Sequence, residues 1–253
     1  MELFMMNKVA VVVGGGGGSG RIIAQEFGRQ GAKVVVADMD GEKAISNTNE
    51  IKKIGGEAIA FTCNIRNEDE VKALMDFAVE TYGRIDVGIN IVGTNTDFTD
   101  ITNVPTEHFD LMYEINQRGI YFCMKYELLA MKNNGKGAII NMGSAGSLIG
   151  QRGQGVYNPT KFAVAGITKS AALDFAKDNI RINCVCPGPM MSDGMKAALE
   201  KDPHFADQYL VDVPMGRFVE QQEVANAFVF LASDLASGIT GVALPVDCGM
   251  VAD

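Results

Sequence analysis

The sequence is short of positive charge, since 22 lysines and arginines stand against 31 aspartates and glutamates, for a formal net charge of −9. A surface of that sign repels the phosphates of nucleic acids, so we expect no nucleic-acid partner. The chain also lacks any apolar run near the ~20 residues that a membrane-spanning helix needs. Its first residues, MELFMMNK, are too few and too acidic for a signal peptide. These absences predict a soluble protein.

Disulfide and metal-binding patterns are missing as well. The cysteines are odd in number and form no C-x-x-C pair; they are Cys63, Cys123, Cys184, Cys186 and Cys248. Most of them stand in apolar runs, so we expect reduced, buried, strand-borne thiols in a cytoplasmic protein. The two histidines, His108 and His204, are isolated and far from the cysteines in sequence. We therefore predict no metal site.

Hydrophobic residues make up 47% of the chain, which is enough for a sizeable core. Short apolar runs alternate with segments of helical spacing along the whole length, without a linker or a break in composition. Such alternation predicts a doubly wound (Rossmann) α/β fold, with a seven-stranded parallel sheet, helices on both faces and a single domain over 1–253. The predicted strands are 8–13, 33–37, 58–63, 85–92, 137–142, 180–186 and 242–246, and the predicted helices are 21–30, 44–54, 68–82, 105–131, 156–176 and 220–232.

A glycine-rich run, GGGGGSG, connects the first strand to the first helix at residues 14–20. Glycine there lets backbone amides approach a pyrophosphate, which the positive end of the following helix also attracts. Asp38 lies 18 positions beyond Gly20, at the end of the second strand, where it can accept both hydroxyls of an adenosine ribose. Its charge would repel a 2′-phosphate, and no basic residue directly follows it in the sequence. We therefore expect NAD(H) rather than NADP(H). The alternative is that Asp38 is only a turn residue.

Tyr157 and Lys161 stand four residues apart in a predicted helix, so their side chains leave the same face. A free tyrosine has a pKa of about 10. A fixed ammonium beside it favours the phenolate, and the tyrosine then becomes a proton donor and acceptor usable near neutral pH. A tyrosine and a lysine at this spacing, with no other motif, are more often a half-buried aromatic and a solvated lysine. The interpretation therefore depends on the rest of the chain.

Taken together, these features resemble the short-chain dehydrogenase/reductase family over essentially the whole chain. The family's T-G-x-x-x-G-x-G loop matches Gly14, Gly18 and Gly20, with Val13 in place of threonine and Ser19 in place of an apolar residue. Its N-N-A-G motif appears as N-I-V-G, in which Asn90 and Gly93 match but Ile91 and Val92 do not. Ser144 precedes Tyr157 by 13 residues, which is the usual family spacing.

The resemblance implies roles for two sets of residues. The catalytic set is Asn116, Ser144, Tyr157 and Lys161. The cofactor-binding set is Gly14, Gly18, Ser19, Gly20, Asp38, Asn64, Ile65, Asn90, Gly93, Tyr157, Lys161, Pro187, Gly188, Met190 and Ser192. Asn64 takes the place of an acid that usually meets the adenine, and Ser192 that of a threonine. Family members usually form homotetramers, so we expect one here.

The implied reaction is the reversible oxidation of a secondary alcohol to a ketone by NAD. The segment 189–214 matches the family's variable lid and is rich in methionine, leucine and aromatic residues. We therefore expect a bulky apolar or cyclic substrate, such as a hydroxysteroid, although the polar loop 93–100 points toward a polyol or sugar. Two rivals remain: a 3-ketoacyl-acyl-carrier-protein reductase, which Asp38 and the net charge disfavour, and a regulator that senses NAD without turnover.

Overall fold

The computed structural model describes residues 3–252 and shows one seven-stranded sheet. The strands are β1 Val9–Val13, β2 Lys33–Asp38, β3 Glu57–Thr62, β4 Val87–Asn90, β5 Gly137–Met142, β6 Ile180–Pro187 and β7 Ala243–Val246. All of them are parallel, in the order β3-β2-β1-β4-β5-β6-β7. Runs of valine and isoleucine form the central strands, which are buried on both faces, as parallel sheets require.

Helices cover both faces of the sheet, and alternate strand residues face each layer. The helices are α1 Gly18–Arg29, α2 Gly41–Lys53, α3 Glu68–Tyr82, α4 Thr106–Tyr113, α5 Ile120–Asn134, α6 Tyr157–Phe175, α7 Asp193–Lys201, α8 Asp207–Leu210 and α9 Gln221–Ala232. Val12 and Val36 pack with α1, α2 and α9 on one side. Val11 and Val35 pack with α3, α5 and α6 on the other side. The doubly wound single-domain fold predicted from the sequence is confirmed.

Strand order reverses between β1 and β4, which are neighbours although two strands intervene in sequence. In open α/β sheets the crevice outside the carboxyl ends of the strands at this point is where ligands bind. The topology therefore gives the location of a ligand site before any side chain is considered. None of the helices in residues 3–252 is long and apolar enough to cross a membrane.

Two local expectations need correction. The predicted helix 105–131 is divided into α4 and α5 by a π-helical turn, Glu114–Gly119, because an extra residue is accommodated there. The cysteines are not all strand-borne. Cys123 lies on the sheet-facing side of α5, where a small apolar side chain fits, Cys63 follows the end of β3, and Cys248 is half-buried in a turn.

Candidate active site

A cavity of about 640 Å³ opens at the carboxyl ends of β1, β4, β5 and β6. That size suits a small-molecule or cofactor site. Three groups of residues line it: the glycine loop with Asp38 at one end, the Ser144 turn with Tyr157 and Lys161 at the other, and apolar residues along the side. The predicted site residues that line it are Gly14, Ser19, Gly20, Asp38, Asn64, Ile65, Gly93, Ser144, Tyr157, Lys161, Pro187, Gly188 and Met190.

The glycine loop is closely packed on itself and opens at the start of α1. Gly14 has a φ of +83°, and a Cβ placed on Gly20 would lie 1.9 Å from the Gly14 carbonyl oxygen. Gly17 is the N-cap of α1, so the N–H groups of the first turn have no carbonyl four residues before them within the helix. Those amides and the positive helix end form a cradle for an anionic pyrophosphate. The residues present therefore fit a dinucleotide.

Replacing Gly20 with alanine should destabilise the protein because the new methyl group overlaps backbone that cannot move aside. We expect a loss of about 3 kcal/mol or more, which lowers the melting temperature by roughly 6 °C or more. Gly17→Ala is the matched control, since its Cβ would meet only the flexible Cδ of Lys43, at 3.8 Å. Equal melting temperatures for the two variants, measured by calorimetry, would refute this account of the loop.

Asp38 lies at the end of β2 against the glycine loop. Its carboxylate accepts hydrogen bonds from the backbone N–H of Gly16 and of Asp40, each at 3.0 Å. These bonds fix its orientation on the cavity wall. Lys43, in the first turn of α2, lies beside Gly17 and forms an ion pair of 3.0 Å with Asp40.

The Ser144 turn follows β5 and is tied to α6. The Ser144 hydroxyl oxygen accepts a hydrogen bond from the Gly146 N–H at 3.1 Å. Ser147 joins the two elements, because its hydroxyl oxygen accepts from the Ser144 N–H at 3.1 Å and its hydroxyl donates to the Lys161 carbonyl at 2.8 Å. The turn and the helix therefore present Ser144 and Tyr157 to the same end of the cavity.

Tyr157 is the first residue of α6, and Lys161 lies one turn further along. The Lys161 ammonium is 5.8 Å from the centre of the Tyr157 ring, so the two side chains share a face. Lys161 is only 2% exposed, and its Nζ donates to the Met142 carbonyl at 3.0 Å. Gly93 leaves room for this ammonium, because a Cβ there would lie 3.0 Å from Nζ. A buried, fixed cation therefore stands beside a half-buried phenol that lines the cavity.

Asn116 lies behind the cavity wall rather than on it. It is fully buried in the π-helical turn, where the extra residue turns its amide inward. Its Oδ1 accepts from the Thr94 N–H at 2.7 Å, and its Nδ2 donates to the Thr94 carbonyl at 2.8 Å and to Thr160 Oγ1 at 3.0 Å. Asn116 therefore holds the loop of Thr94, which lines the cavity, against α6.

Three residues of the predicted cofactor-binding set do not line the cavity. Gly18 is exposed at the outer side of the loop. Ser192 caps α7, because its hydroxyl oxygen accepts from the Met195 N–H at 3.1 Å. Asn90 is fully buried, since the pleat of β4 turns its amide into the core, where it donates to Glu127 and Asn141 at 3.0 Å each. The side chains of Ser192 and Asn90 therefore support neighbouring elements.

Glu127 is a buried carboxyl group that sequence reasoning missed. It is fully enclosed, and its Oε1 has no hydrogen-bond partner among residues 3–252. Gly88 in β4 makes the room, because a Cβ there would lie 2.4 Å from the carboxyl carbon. Burial raises the pKa of Glu127 to about 7, against the lowering effect of the hydrogen bond from Asn90. The pairing of a mid-strand glycine with an inward acid on α5 could only be found once the register was known.

Replacing Glu127 with glutamine should remove a pH dependence of stability. A raised native pKa means that folding favours the protonated acid. The contribution of Glu127 to the free energy of unfolding is therefore greatest below about pH 4.5, falls as the pH rises to about 7, and then levels off. The total loss is up to about 3 kcal/mol, and E127Q should escape it above neutrality. Urea unfolding from pH 4 to pH 8 measures this, with the exposed Glu80→Gln as control. Parallel pH profiles for parent and E127Q would contradict the assignment.

The segment 189–214 forms α7, a short 3-10 turn Pro203–Ala206 and α8. Among its residues, Met190 lines the cavity and receives a contact from the Ser19 hydroxyl at 3.6 Å. Phe205 instead packs on Tyr209, with ring centres 5.4 Å apart, and Tyr209 packs toward Phe218, with ring centres 6.4 Å apart. Two further apolar wall residues, Leu111 and Ile115, lie one turn apart before Asn116, and the helical spacing could have predicted them.

Sequence and fold match known oxidoreductases. Residues 16–251 match the family model described as Enoyl-(Acyl carrier protein) reductase. The chain is 36% identical over 250 residues to 2,5-dichloro-2,5-cyclohexadiene-1,4-diol dehydrogenase of Sphingobium indicum, with 98% of each chain covered. It is 36% identical over 246 residues to a 3-oxoacyl-acyl-carrier-protein reductase of Staphylococcus aureus, covering 97% of this chain and 98% of that one. A 7α-hydroxysteroid dehydrogenase, solved with NADH and 7-oxo glycochenodeoxycholic acid, superposes with a TM-score of 0.91 at 31% identity, covering 98% of this chain and 96% of that one.

Proposed function

The chain belongs to the short-chain dehydrogenase/reductase family of oxidoreductases, and we propose that it transfers a hydride between NAD(H) and a secondary alcohol or its ketone. One observation carries the proposal. The Ser144 turn, Tyr157 and the buried Lys161 meet at one end of a cavity whose other end holds the glycine loop and Asp38. A single elongated ligand can therefore reach both ends.

The proposed mechanism assigns each group a task at a stated atom. The Ser144 hydroxyl donates a hydrogen bond to the substrate oxygen and holds it beside Tyr157. The Tyr157 phenolate takes the hydroxyl proton of the alcohol, and the phenol returns a proton to the ketone in the reverse direction. The Lys161 ammonium stabilises the phenolate and binds the ribose next to the reacting ring. When bound, the nicotinamide supplies the hydride acceptor.

Asn116 acts as a positioning residue in this scheme. Its amide holds Thr94 and Thr160 on opposite sides, so it fixes the loop after β4 against α6. By family resemblance it also anchors a water chain that returns the proton to solvent. Because proton and hydride leave neighbouring atoms, alignment of this kind supplies much of the reduction of the barrier.

NAD(H) is the proposed cofactor because Asp38 faces the predicted ribose position with its carboxylate already oriented by Gly16 and Asp40. Asp38→Ala should shift the ratio of kcat/KM for NAD to that for NADP by at least about tenfold toward NADP, since a hydrogen bond to a charged group is worth about 1.5–3 kcal/mol. Asp174→Ala, an exposed acid on α6, controls for net charge. An unchanged ratio would refute the charge argument.

A bulky apolar or cyclic alcohol, such as a hydroxysteroid, is the proposed substrate. Leu111, Ile115 and Met190 supply apolar wall, and one structural neighbour is named for a steroid and one relative for a cyclic diol. Thr94 and Asn95 add polar groups, which keeps a polyol or sugar as the alternative. The test incubates the protein with NAD and each of a panel of steroid, cyclic and sugar alcohols, and measures the rise of NADH absorbance. Reduction of NAD by the sugar alcohols alone would overturn the apolar assignment.

Two other functions are separated by the same assay. The relative from Staphylococcus aureus favours a ketoacyl reductase, which would oxidise NADPH with a ketoacyl thioester and would need a basic face for an acidic carrier. The net charge of −9 and Asp38 disfavour it. A non-catalytic sensor would bind NAD and reduce none of it across the panel.

We also propose a cytoplasmic homotetramer. All five cysteines are free thiols, as a reducing compartment requires. Large apolar side chains are exposed along α5 and α6, where a second copy could cover them; they are Tyr121, Leu129, Phe162 and Leu173. Light scattering at micromolar concentration gives the mass, and a monomer would exclude this assembly.

A further inference from the structure

Two cysteines lie side by side directly beneath the catalytic turn. Cys184 and Cys186 are two residues apart on β6, so both side chains leave the same face of the strand. Their sulfur atoms are 3.8 Å apart, and both residues are fully buried. Gly143, just before Ser144, lies over the pair, because a Cβ there would be 2.7 Å from one sulfur and 2.8 Å from the other. The chain therefore has a thiol pair where the Ser144 turn rests on the sheet.

The surroundings of the two thiols differ. The contact with Cys184 is the largest effect that lowers the pKa of Cys186 below its usual value, and the charge of Lys161 acts in the same direction against burial. The same thiol contact and burial raise the pKa of Cys184. Cys186 is also the next residue to Pro187, which lines the cavity, so we assign Cys186 as the nucleophile.

We propose that Cys184 and Cys186 form a dithiol site that hydroperoxides oxidise to a disulfide. The Cys186 thiolate attacks one peroxide oxygen, the O–O bond breaks, and a sulfenic acid and hydroxide form; the hydroxide takes up a proton to become water. The Cys184 sulfur then attacks the sulfenic sulfur, the S–O bond breaks, and a second water leaves with the thiol proton. Two thiols and one hydrogen peroxide thus give a disulfide and two waters.

The cavity gives the oxidant its route. Gly143 and Pro187 both line the cavity. A Cβ on Gly143 would lie 2.8 Å from the Cys186 sulfur, and Pro187 is the next residue in the chain, so Cys186 lies directly behind the cavity wall. A peroxide is scarcely larger than water and reaches this wall through the cavity, whereas a ligand filling the cavity should keep it out. NAD is therefore expected to slow the oxidation.

A bridge between these residues is strained and hence reversible. Residues two apart on a strand have Cα atoms about 6.5–6.8 Å apart, at the upper limit of the range for disulfides. Strained disulfides are reduced easily, so a cellular dithiol should restore the pair. Both sulfurs lie against Gly143, so drawing them together changes the support of the Ser144 turn. The expected loss of turnover rests on the proposed function, whereas the oxidation of the two thiols does not depend on it.

The experiment treats the full chain with hydrogen peroxide and follows intact mass, peptide mapping and turnover. Cys184→Ser and Cys186→Ser are compared with Cys248→Ser, the matched control at a half-buried cysteine away from the pair. The parent and C248S should lose the mass of two hydrogens within the peptide that carries residues 184–186, and turnover should fall at least about tenfold, with recovery in dithiothreitol. C184S should instead hold a sulfenic acid that dimedone labels, and C186S should show neither change.

Three results would overturn the proposal: no mass loss in the parent, oxidation confined to Cys248, or equal oxidation of C186S and parent. Peptide mapping of the parent alone decides the matter if a serine variant fails to fold. The mass and the dimedone label are read without any substrate. Loss of two hydrogens in a protein that turns over no alcohol would therefore uphold the dithiol site and refute only the proposed function.

Discussion

Replacing Tyr157 with phenylalanine should lower turnover by about three orders of magnitude, because the variant keeps the ring and loses the one hydroxyl that exchanges the proton. Tyr157 is half-buried at the catalytic end of the cavity, so the substitution removes an oxygen from its wall and leaves the packing of α6 intact. We expect kcat to fall and the affinity for NAD, measured by calorimetry, to stay within about twofold, since the glycine loop and Asp38 are untouched.

The control for this variant is Tyr121→Phe, which removes the same atom from an exposed ring on α5. That variant should match the parent in both measurements. Substantial residual turnover in Y157F, with an intact fold, would remove the tyrosine from its role. A parallel loss of NAD affinity would instead indicate that the hydroxyl serves binding rather than proton transfer.

Lys161→Met should lower kcat/KM by about two orders of magnitude, because methionine keeps much of the length of the side chain and loses the buried ammonium. Alcohol oxidation places a negative charge on the phenol oxygen, and the buried ammonium beside the ring is the cation that stabilises it. We therefore expect kcat to fall even at saturating NAD and alcohol, an effect that loss of cofactor binding alone would not produce.

Lys169→Met is the matched control, since this lysine lies on the same helix and is exposed. Its kcat and KM should match those of the parent. A K161M variant whose KM for NAD rises while kcat at saturation stays unchanged would leave Lys161 a role in binding and none in the chemistry of Tyr157.

The sequence predicted the sheet well because its signals are local. Valine runs such as that of β1 end in glycine, and the spacing of apolar residues in α1 and α3 shows their buried face without reference to anything distant. The grouping of Ser144, Tyr157 and Lys161 was predictable for a related reason. A carboxyl-end turn of one strand and the first turn of the next helix must meet at the same edge of a parallel sheet.

The remaining features depend on contacts between distant segments. The π-helical turn exists where Asn116 finds Thr94 and Thr160, which are neighbours only in the folded chain. The buried Glu127 needs Gly88 on another element, and no periodicity connects those two positions. Asn90 was expected at the cofactor because a motif suggested it, yet the pleat of β4 directs it into the core. Register, rather than local pattern, decides such cases.

The most direct test of the central claim follows a single isotope. The fastest alcohol of the panel is prepared with deuterium on the carbon that bears the hydroxyl, and the reduced cofactor is analysed by mass spectrometry. The account predicts one deuterium per NADH formed by the parent and almost no product from Tyr157→Phe. Reduced cofactor without deuterium, or labelled cofactor formed equally fast by Y157F, would contradict it.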